Sequence, residues 1–168
     1  MKEMEFDEQA RQVLQILRQG AFLTTCAAEQ TNTMTIGWGY LGWAWRKPVF
    51  AVMVRHNRFT HELLEKNGEF TVTLPQEDMS KELAFCGTKS GRNTDKIKAC
   101  DFSLIPGKTV SVPLIVCKAL QYECKVVGKT EMTPAGMEEA QFKQWYDKVP
   151  GDYHTFYFGE ITASYITQ

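Results

Sequence analysis

Asn32-Thr33-Met34-Thr35-Ile36-Gly37-Trp38-Gly39-Tyr40-Leu41-Gly42-Trp43-Ala44-Trp45 holds three of the chain's four tryptophans and three glycines within fourteen residues. Glycine lets a backbone approach a ligand closely, hydroxyl and amide side chains bond a polar rim, and aromatics cover a flat face. The stretch reads as a seat for a planar ligand. It reads equally as a glycine-broken strand whose tryptophans edge a core, so the flanking sequence has to separate the two.

On its N-terminal side, Ala21 to Ala27 has the composition of a strand, and the polar turn Glu29-Gln30-Thr31-Asn32 leads into a second strand beginning near Thr33, which predicts a hairpin. Asp7 to Arg18 predicts a helix with Asp7 as its cap, an apolar stripe at Ala10, Val13, Leu14 and Leu17, and Gly20 at its end. On the C-terminal side, Pro48 to Val54 is an apolar run of strand length that stops at Arg55-His56-Asn57-Arg58-Phe59-Thr60.

Phe59, Leu63 and Leu64 carry a short helical period closed by Asn67-Gly68, and Glu69 to Leu74 alternates as a strand. Helical spacing from Glu77 to Phe85 runs into the basic loop Cys86 to Lys96. Pro113 to Val127 reads as one bent strand with Val116, Leu120, Tyr122 and Cys124 on one parity. A helix from Gly136 to Lys148 is stopped by Pro150-Gly151, and a last strand from Thr155 to Ile166 is interrupted at Gly159. Many strands with interposed helices and no regular β-α-β alternation predict a mainly β, antiparallel barrel with helical decorations, as a single domain over residues 1–168.

Nineteen basic residues against twenty acidic ones leave a formal charge of −1, so no global field draws nucleic acid or an acidic membrane. Any anion site must be local. Met1 to Glu8 is too charged for a signal peptide, and no apolar run reaches the roughly 20 residues a membrane span needs, so a cytoplasmic protein is expected. Five cysteines without a C-x-x-C pair read as reduced thiols, and Cys86, beside the basic loop, is a candidate exposed thiol of lowered pKa. His56, His61 and His154 lack metal-ligand company; the first two stand five apart, off the i, i+4 spacing of a helical ligand pair, and no metal is expected.

Arg55 to Thr60 and Thr88-Lys89-Ser90-Gly91-Arg92 each combine cations with a hydroxyl at the end of an element, which is what a phosphate site requires. Lys89-Ser90-Gly91 is not a Walker loop, because its glycine spacing and its Gly-Lys-Ser/Thr ending are missing. No G-x-G-x-x-G follows a strand, which argues against a Rossmann domain.

Four places taken together, Asn32 to Trp38, Arg55 to Thr60, Ser90 to Lys96, and His154 with Gly159-Glu160-Ile161, resemble the flavin reductase-like family of FMN-binding split barrels, flavoredoxin type. The resemblance implies an antiparallel split β-barrel and a homodimer with FMN near the subunit interface. It also implies hydride transfer from NADH or NADPH to the flavin, with electrons passing on to flavin, a protein partner or a small acceptor. Carried over, Asn32, Thr33, Met34, Thr35, Ile36, Gly37 and Trp38 line the isoalloxazine and ribityl region. Arg55, Asn57, Arg58, Thr60, Ser90, Gly91 and Lys96 surround the phosphate, with Lys89 and Arg92 competing for the same role.

Charge developing on a reduced flavin calls for backbone donors, which Thr35 to Gly39 can supply, and no protein nucleophile is required. His154, at the ring edge or the incoming nicotinamide, is the single catalytic candidate. Trp43 and Trp45 suit packing or the dimer interface, and Trp145 and Tyr146 suit the core, the dimer or a substrate cover. Thr73 stands where the resemblance calls for asparagine. The rival reading is an FMN-binding electron carrier or sensor without NAD(P)H turnover of its own.

Overall fold

The computed structural model describes residues 1–168 and contains the expected hairpin, with a tighter turn than the polar run implied. Strands β2 (Ala21–Ala27) and β3 (Gln30–Ile36) pair from Ala27↔Gln30 to Ala21↔Ile36, leaving only Ala28 and Glu29 between them. Before them come a two-residue strand β1 (Lys2–Glu3) and helix α1 (Ala10–Leu17). No side chain caps α1; the Asp7 carbonyl accepts the Ala10 N–H in a preceding turn, so the cap expected from the Asp7 carboxylate is replaced by backbone. Val13 and Leu17 enter the core, whereas Leu14 of the expected stripe stays half exposed.

The glycine- and tryptophan-rich stretch from Asn32 continues as β4 (Gly39–Ala44), antiparallel to β5 (Lys47–Arg55), with α2 (Phe59–Asn67) and β6 (Glu69–Pro75) following. Helix α3 (Ser80–Thr88) and the short α4 (Lys96–Ala99) flank the basic loop, and α4 is capped by Asp95, whose carboxylate accepts the Lys98 N–H. The bent strand expected from Pro113 is divided in two. Leu114–Ile115 (β8) pairs with Leu104–Ile105 (β7), and the long strand β9 runs from Ala119 to Glu131.

The start of β9 is buried on both faces, which single parity did not predict. Gln121 donates to the Ile115 carbonyl, and Glu123 accepts the N–H groups of Lys108, Thr109 and Val110, so the segment before β9 folds back over its outer face. These buried polar side chains are satisfied by backbone, which is the condition for keeping them inside.

A single 3₁₀ turn (Pro134–Gly136) and a shorter helix than expected, α5 (Glu139–Trp145), precede β10 (His154–Thr167). Strand β10 is continuous through Gly159; the interruption is a register shift against β9 between Phe158 and Gly159. A Cβ at Gly159 would lie 2.4 Å from Phe70 Cζ and 2.8 Å from Cys124 Cβ, so the missing side chain is what lets Phe70 cross the strand.

The sheet order is β3-β2-β6-β9-β10-β5-β4, with β1 added on β10. Its ends, β3 and β4, do not pair, so the antiparallel sheet curls without closing: a split barrel, as expected. Leu23, Phe50, Val52, Phe70, Val72, Tyr122 and Tyr157 fill the interior. Each such side chain contributes about 1.5–3 kcal/mol on burial, against about 0–1 kcal/mol for a surface ion pair such as Lys47–Glu160, so the core and not the surface charge determines the fold. Phe22, Cys86 and Ile115 form a smaller apolar cluster that seats α3. Terminal strand β3 thereby meets α2, α3 and α4, which gather the polar segments at one edge of the barrel.

Candidate functional site

Chain direction brings the two cationic segments together. Strand β5 ends at Arg55, α2 starts at Phe59, and the loop between α3 and α4 folds against that start. The result is a pocket of about 240 Å³ lined by Asn57, Arg58, Phe59, Thr60, Thr88, Lys89, Ser90, Gly91, Arg92 and Lys96. Every residue assigned to the phosphate except Arg55 lies here.

Gly91 makes the junction possible. A Cβ on it would fall 2.0 Å from Asn32 Oδ1 and 2.8 Å from Phe59 Cδ1, so only glycine brings this loop onto β3 and α2. Asn32, itself buried, donates to Thr60 Oγ1 at 2.8 Å, which leaves the Thr60 hydroxyl proton free to donate onward.

Two cations are held at the pocket without a carboxylate partner. Arg58 donates to the Gly87 carbonyl at 2.8 Å and the Cys86 carbonyl at 3.3 Å, and Lys96 Nζ donates to the same Cys86 carbonyl at 3.2 Å. Both cap the C-terminus of α3, where cations are favoured. Lys96 is 3% exposed, and burial brings its pKa down to about 8; burial also lowers Arg58. A buried positive charge with only carbonyl partners favours an incoming anion, and the Phe59 and Thr60 amides at the start of α2, which have no backbone acceptor, add to the field.

Arg92 lines the pocket but is already engaged. It pairs with Glu62, donates to the Asn57 carbonyl at 2.7 Å and lies over the Phe59 ring. Lys89 makes no ion pair, and Ser90 Oγ accepts the Arg92 N–H at 3.3 Å.

Arg55 is placed elsewhere, which corrects its assignment to the phosphate. Its guanidinium donates to the carbonyls of Asp152 at 2.9 Å and Trp145 at 2.7 Å and covers the Tyr146 ring at 5.0 Å. Asp152 also accepts the Asn57 N–H at 3.0 Å. Arg55 thus fastens residues 145–152 to the barrel.

Along β3 the side chains are committed inward. Met34 and Ile36 belong to the core, Thr33 bonds Thr24 and the Leu23 carbonyl, and Thr35 Oγ1 donates to the Leu83 carbonyl at 2.5 Å. What β3 can offer a ligand is its unpaired backbone edge and the open surface at Gly37, next to which Trp38 is 38% exposed. Thr73 is buried and bonds Gln121 at 2.6 Å inside the sheet, so it faces no ligand.

A second, mostly apolar groove of about 530 Å³ adjoins Gly37-Trp38-Gly39 and is walled by Leu14, Met53, Trp145 and Phe156. Trp38 meets Trp145 edge-on at 4.8 Å and His154 at 5.2 Å. His154 is 8% exposed and shares a 2.7 Å hydrogen bond between Nδ1 and the Tyr146 hydroxyl. Burial, then Arg55, brings its pKa down to about 4. His154, the catalytic candidate, thus lies against the Trp38 and Tyr146 rings, both of which line this groove. The reading of Cys86 as an exposed thiol is corrected: it is fully buried, and burial pushes its thiol up to about 12.

The sequence reading missed three features. The groove's Leu14, Met53 and Phe156 come from three different elements and left no local motif. The aromatic residues Tyr40, Trp43 and Trp45 are all about three-fifths exposed. The histidines expected to lack company have it: His56 Nε2 lies 2.7 Å from Glu131 Oε2, and the His56 and His61 rings are 5.0 Å apart. A five-residue spacing that crosses from a strand end into a helix was the available signal.

No helix is long and apolar enough to cross a membrane. Residues 15–168 match the family model described as "Flavin reductase like domain". An uncharacterized protein of Archaeoglobus fulgidus is 31% identical over 110 residues, covering 66% of this chain and 62% of that relative, so the match spans about three-fifths of the relative's length. The fold superposes on flavoredoxin from Methanosarcina acetivorans with a TM-score of 0.69 and 27% identity, over 89% of this chain and 68% of that one. It also superposes on an FMN-binding protein from Thermus thermophilus with a TM-score of 0.68 and 22% identity, over 88% and 69% of the two chains. The ordered segments at the barrel edge and a match running over almost the whole chain lead to one assignment: the chain belongs to the flavin reductase like domain family.

Proposed function

We propose that this chain binds FMN and works as an NAD(P)H-dependent oxidoreductase, passing electrons to flavin, a protein partner or a small acceptor. The observation that carries the reading is the pocket where Arg58, Thr60, Ser90, Gly91 and Lys96 converge, with two cations that lack carboxylate partners. Such a pocket suits the terminal dianion of a mononucleotide. Lys89 stands free at its rim to add a third charge.

Bound FMN supplies a hydride acceptor that stores two electrons. The edge of β3 from Asn32 to Trp38 would hold its ring, and backbone amides between Thr35 and Gly39 would stabilise the negative charge of the reduced form. The FMN-binding relative from Thermus thermophilus, which shares the fold, supports this choice of flavin. The groove between Trp38 and Trp145 offers an apolar approach for a nicotinamide or a small acceptor. Tyr40 and Trp45, exposed beside Phe156 and Phe158 on the outer side of the sheet, offer a face a second copy would cover, which supports a homodimer, whereas Trp43 turns the other way onto Phe6. Five free thiols suit a reducing compartment such as the cytoplasm.

The test is a visible spectrum of the purified chain titrated with FMN, followed by anaerobic addition of NADH and of NADPH. Saturable FMN binding with bleaching by either nucleotide is expected. Absence of binding overturns the flavin assignment, whereas binding without bleaching favours a carrier or sensor.

A further inference from the structure

We infer that His56, His61 and Glu131 form a binding site for a divalent transition-metal ion, with Zn²⁺ as the ion of choice. Each residue offers one ligand atom, and the three atoms lie within 4.8 Å of one another. They come from three elements: the residue after β5, the first turn of α2 and the last residue of β9. Two imidazoles and a carboxylate are the borderline donor set of zinc, with a fourth position left for water.

The protonation pattern points the same way. His56 Nδ1 lies 3.3 Å from the Gly151 carbonyl, which can only accept, so Nδ1 is the donor and Nε2 is the ring atom turned toward Glu131. That Nε2 is buried and has no hydrogen-bond partner. Glu131 Oε2 is only 2.7 Å away, at an angle that makes no hydrogen bond, so the two atoms stand together without a hydrogen bond between them. A metal ion would take both as donors. A metal-bound histidine characteristically gives its other ring N–H to a carbonyl, as His56 does here.

Thr155 connects the remaining two ligands. Its hydroxyl donates to Glu131 Oε1 at 3.0 Å and stands 3.1 Å from His61 Nε2. Ligands about 2.0–2.1 Å from a tetrahedral ion stand roughly 3.3 Å apart, so on binding the 2.7 Å His56–Glu131 separation would widen and the wider ones, up to 4.8 Å, would close, adjustments open to Glu131, whose side chain is 54% exposed. The ion would tie the end of β5 to the start of α2, the two elements that bring Asn57 and Thr60 to the anion pocket. The site stands on these three residues and is independent of the flavin reading.

The full-length chain, freed of metal with a chelator and dialysed, is titrated with Zn²⁺ by calorimetry, with elemental analysis for stoichiometry. One ion per chain is expected, with an affinity that falls at least tenfold in His56→Gln, in His61→Gln and in Glu131→Gln. Cys100→Ser, in the separate Cys86–Cys100 thiol pair, should leave it unchanged. Circular dichroism checks that each variant folds, and exposed Glu131 supplies the variant least able to disturb the core. Absence of 1:1 binding tighter than about 0.1 mM overturns the site. Equal affinity in wild type and Glu131→Gln overturns it as well.

Discussion

Asn32 and Gly91 meet so closely that a single added carbon on Gly91 would stand 2.0 Å from the Asn32 side-chain oxygen. This contact joins the edge strand to the basic loop, and Asn32 passes it on to Thr60 through a 2.8 Å hydrogen bond. The anion pocket therefore depends on a residue that carries no charge and no side chain.

Gly91→Ala should push the loop off Asn32 and open the pocket. Overpacking costs about 1–3 kcal/mol, so a fall in FMN affinity of about tenfold or more is expected, with a lower melting temperature. Fluorescence titration with FMN measures it, and wild-type affinity in this variant would show that the loop does not shape the site.

Arg55 and Arg58 should separate by phenotype. Arg58→Gln removes a charged donor at the pocket, where such a bond contributes about 1.5–3 kcal/mol, so FMN binding should weaken by roughly 10- to 100-fold. Arg55→Gln should leave affinity nearly intact and loosen residues 145–152, which it clamps through the Trp145 and Asp152 carbonyls. Hydrogen exchange in that segment reads the second effect. Equal losses of affinity in the two variants would return Arg55 to the phosphate.

Lys96 gives the pocket a pH dependence. Its folded pKa lies near 8 against 10.5 for an unperturbed lysine, so on raising the pH the folded chain gives up the proton first. Anion affinity should fall as pH rises through about 8, whereas Lys96→Met should bind FMN weakly with no inflection there. Between those two pKa values the unfolded chain holds more protons, so this group's contribution to stability rises with pH. FMN dissociation constants from about pH 7 to 9.5 test the first point, and a flat wild-type profile would remove Lys96 from the site.

His154 gives the fold an acid limit. Its folded pKa of about 4 lies below the 6.5 of a free imidazole. The unfolded chain takes up this proton first on acidification, so the stability His154 contributes is complete above pH 6.5 and is lost as the pH falls toward 4. His154→Gln, which keeps a partner for the Tyr146 hydroxyl, should flatten melting temperature over that window without altering the pH profile of turnover. A turnover inflection that disappears in this variant would identify His154 as an acid or base.

Local chemistry made the hairpin, the ends of α2 and the two cationic segments that line one pocket legible in the sequence. The Asn67-Gly68 stop acts within a turn of its own residues, and the apolar run before Arg55 ends at that same residue. The Pro113 strand was misread because alternation cannot show that Leu104 to Ile115 covers the outer face of β9.

Partners far along the chain decided the rest. Arg55 and Arg58 are indistinguishable in sequence, yet one meets carbonyls ninety residues away and the other caps a helix thirty residues on. Burial, which no local pattern records, pushes the Cys86 thiol up to about 12 and brings His154 down to about 4. Sequence thus determined which residues could hold an anion and a flat ring. Tertiary structure decided which of them have their polar groups free to do so, because hydrogen bonds and desolvation depend on neighbours that only folding supplies.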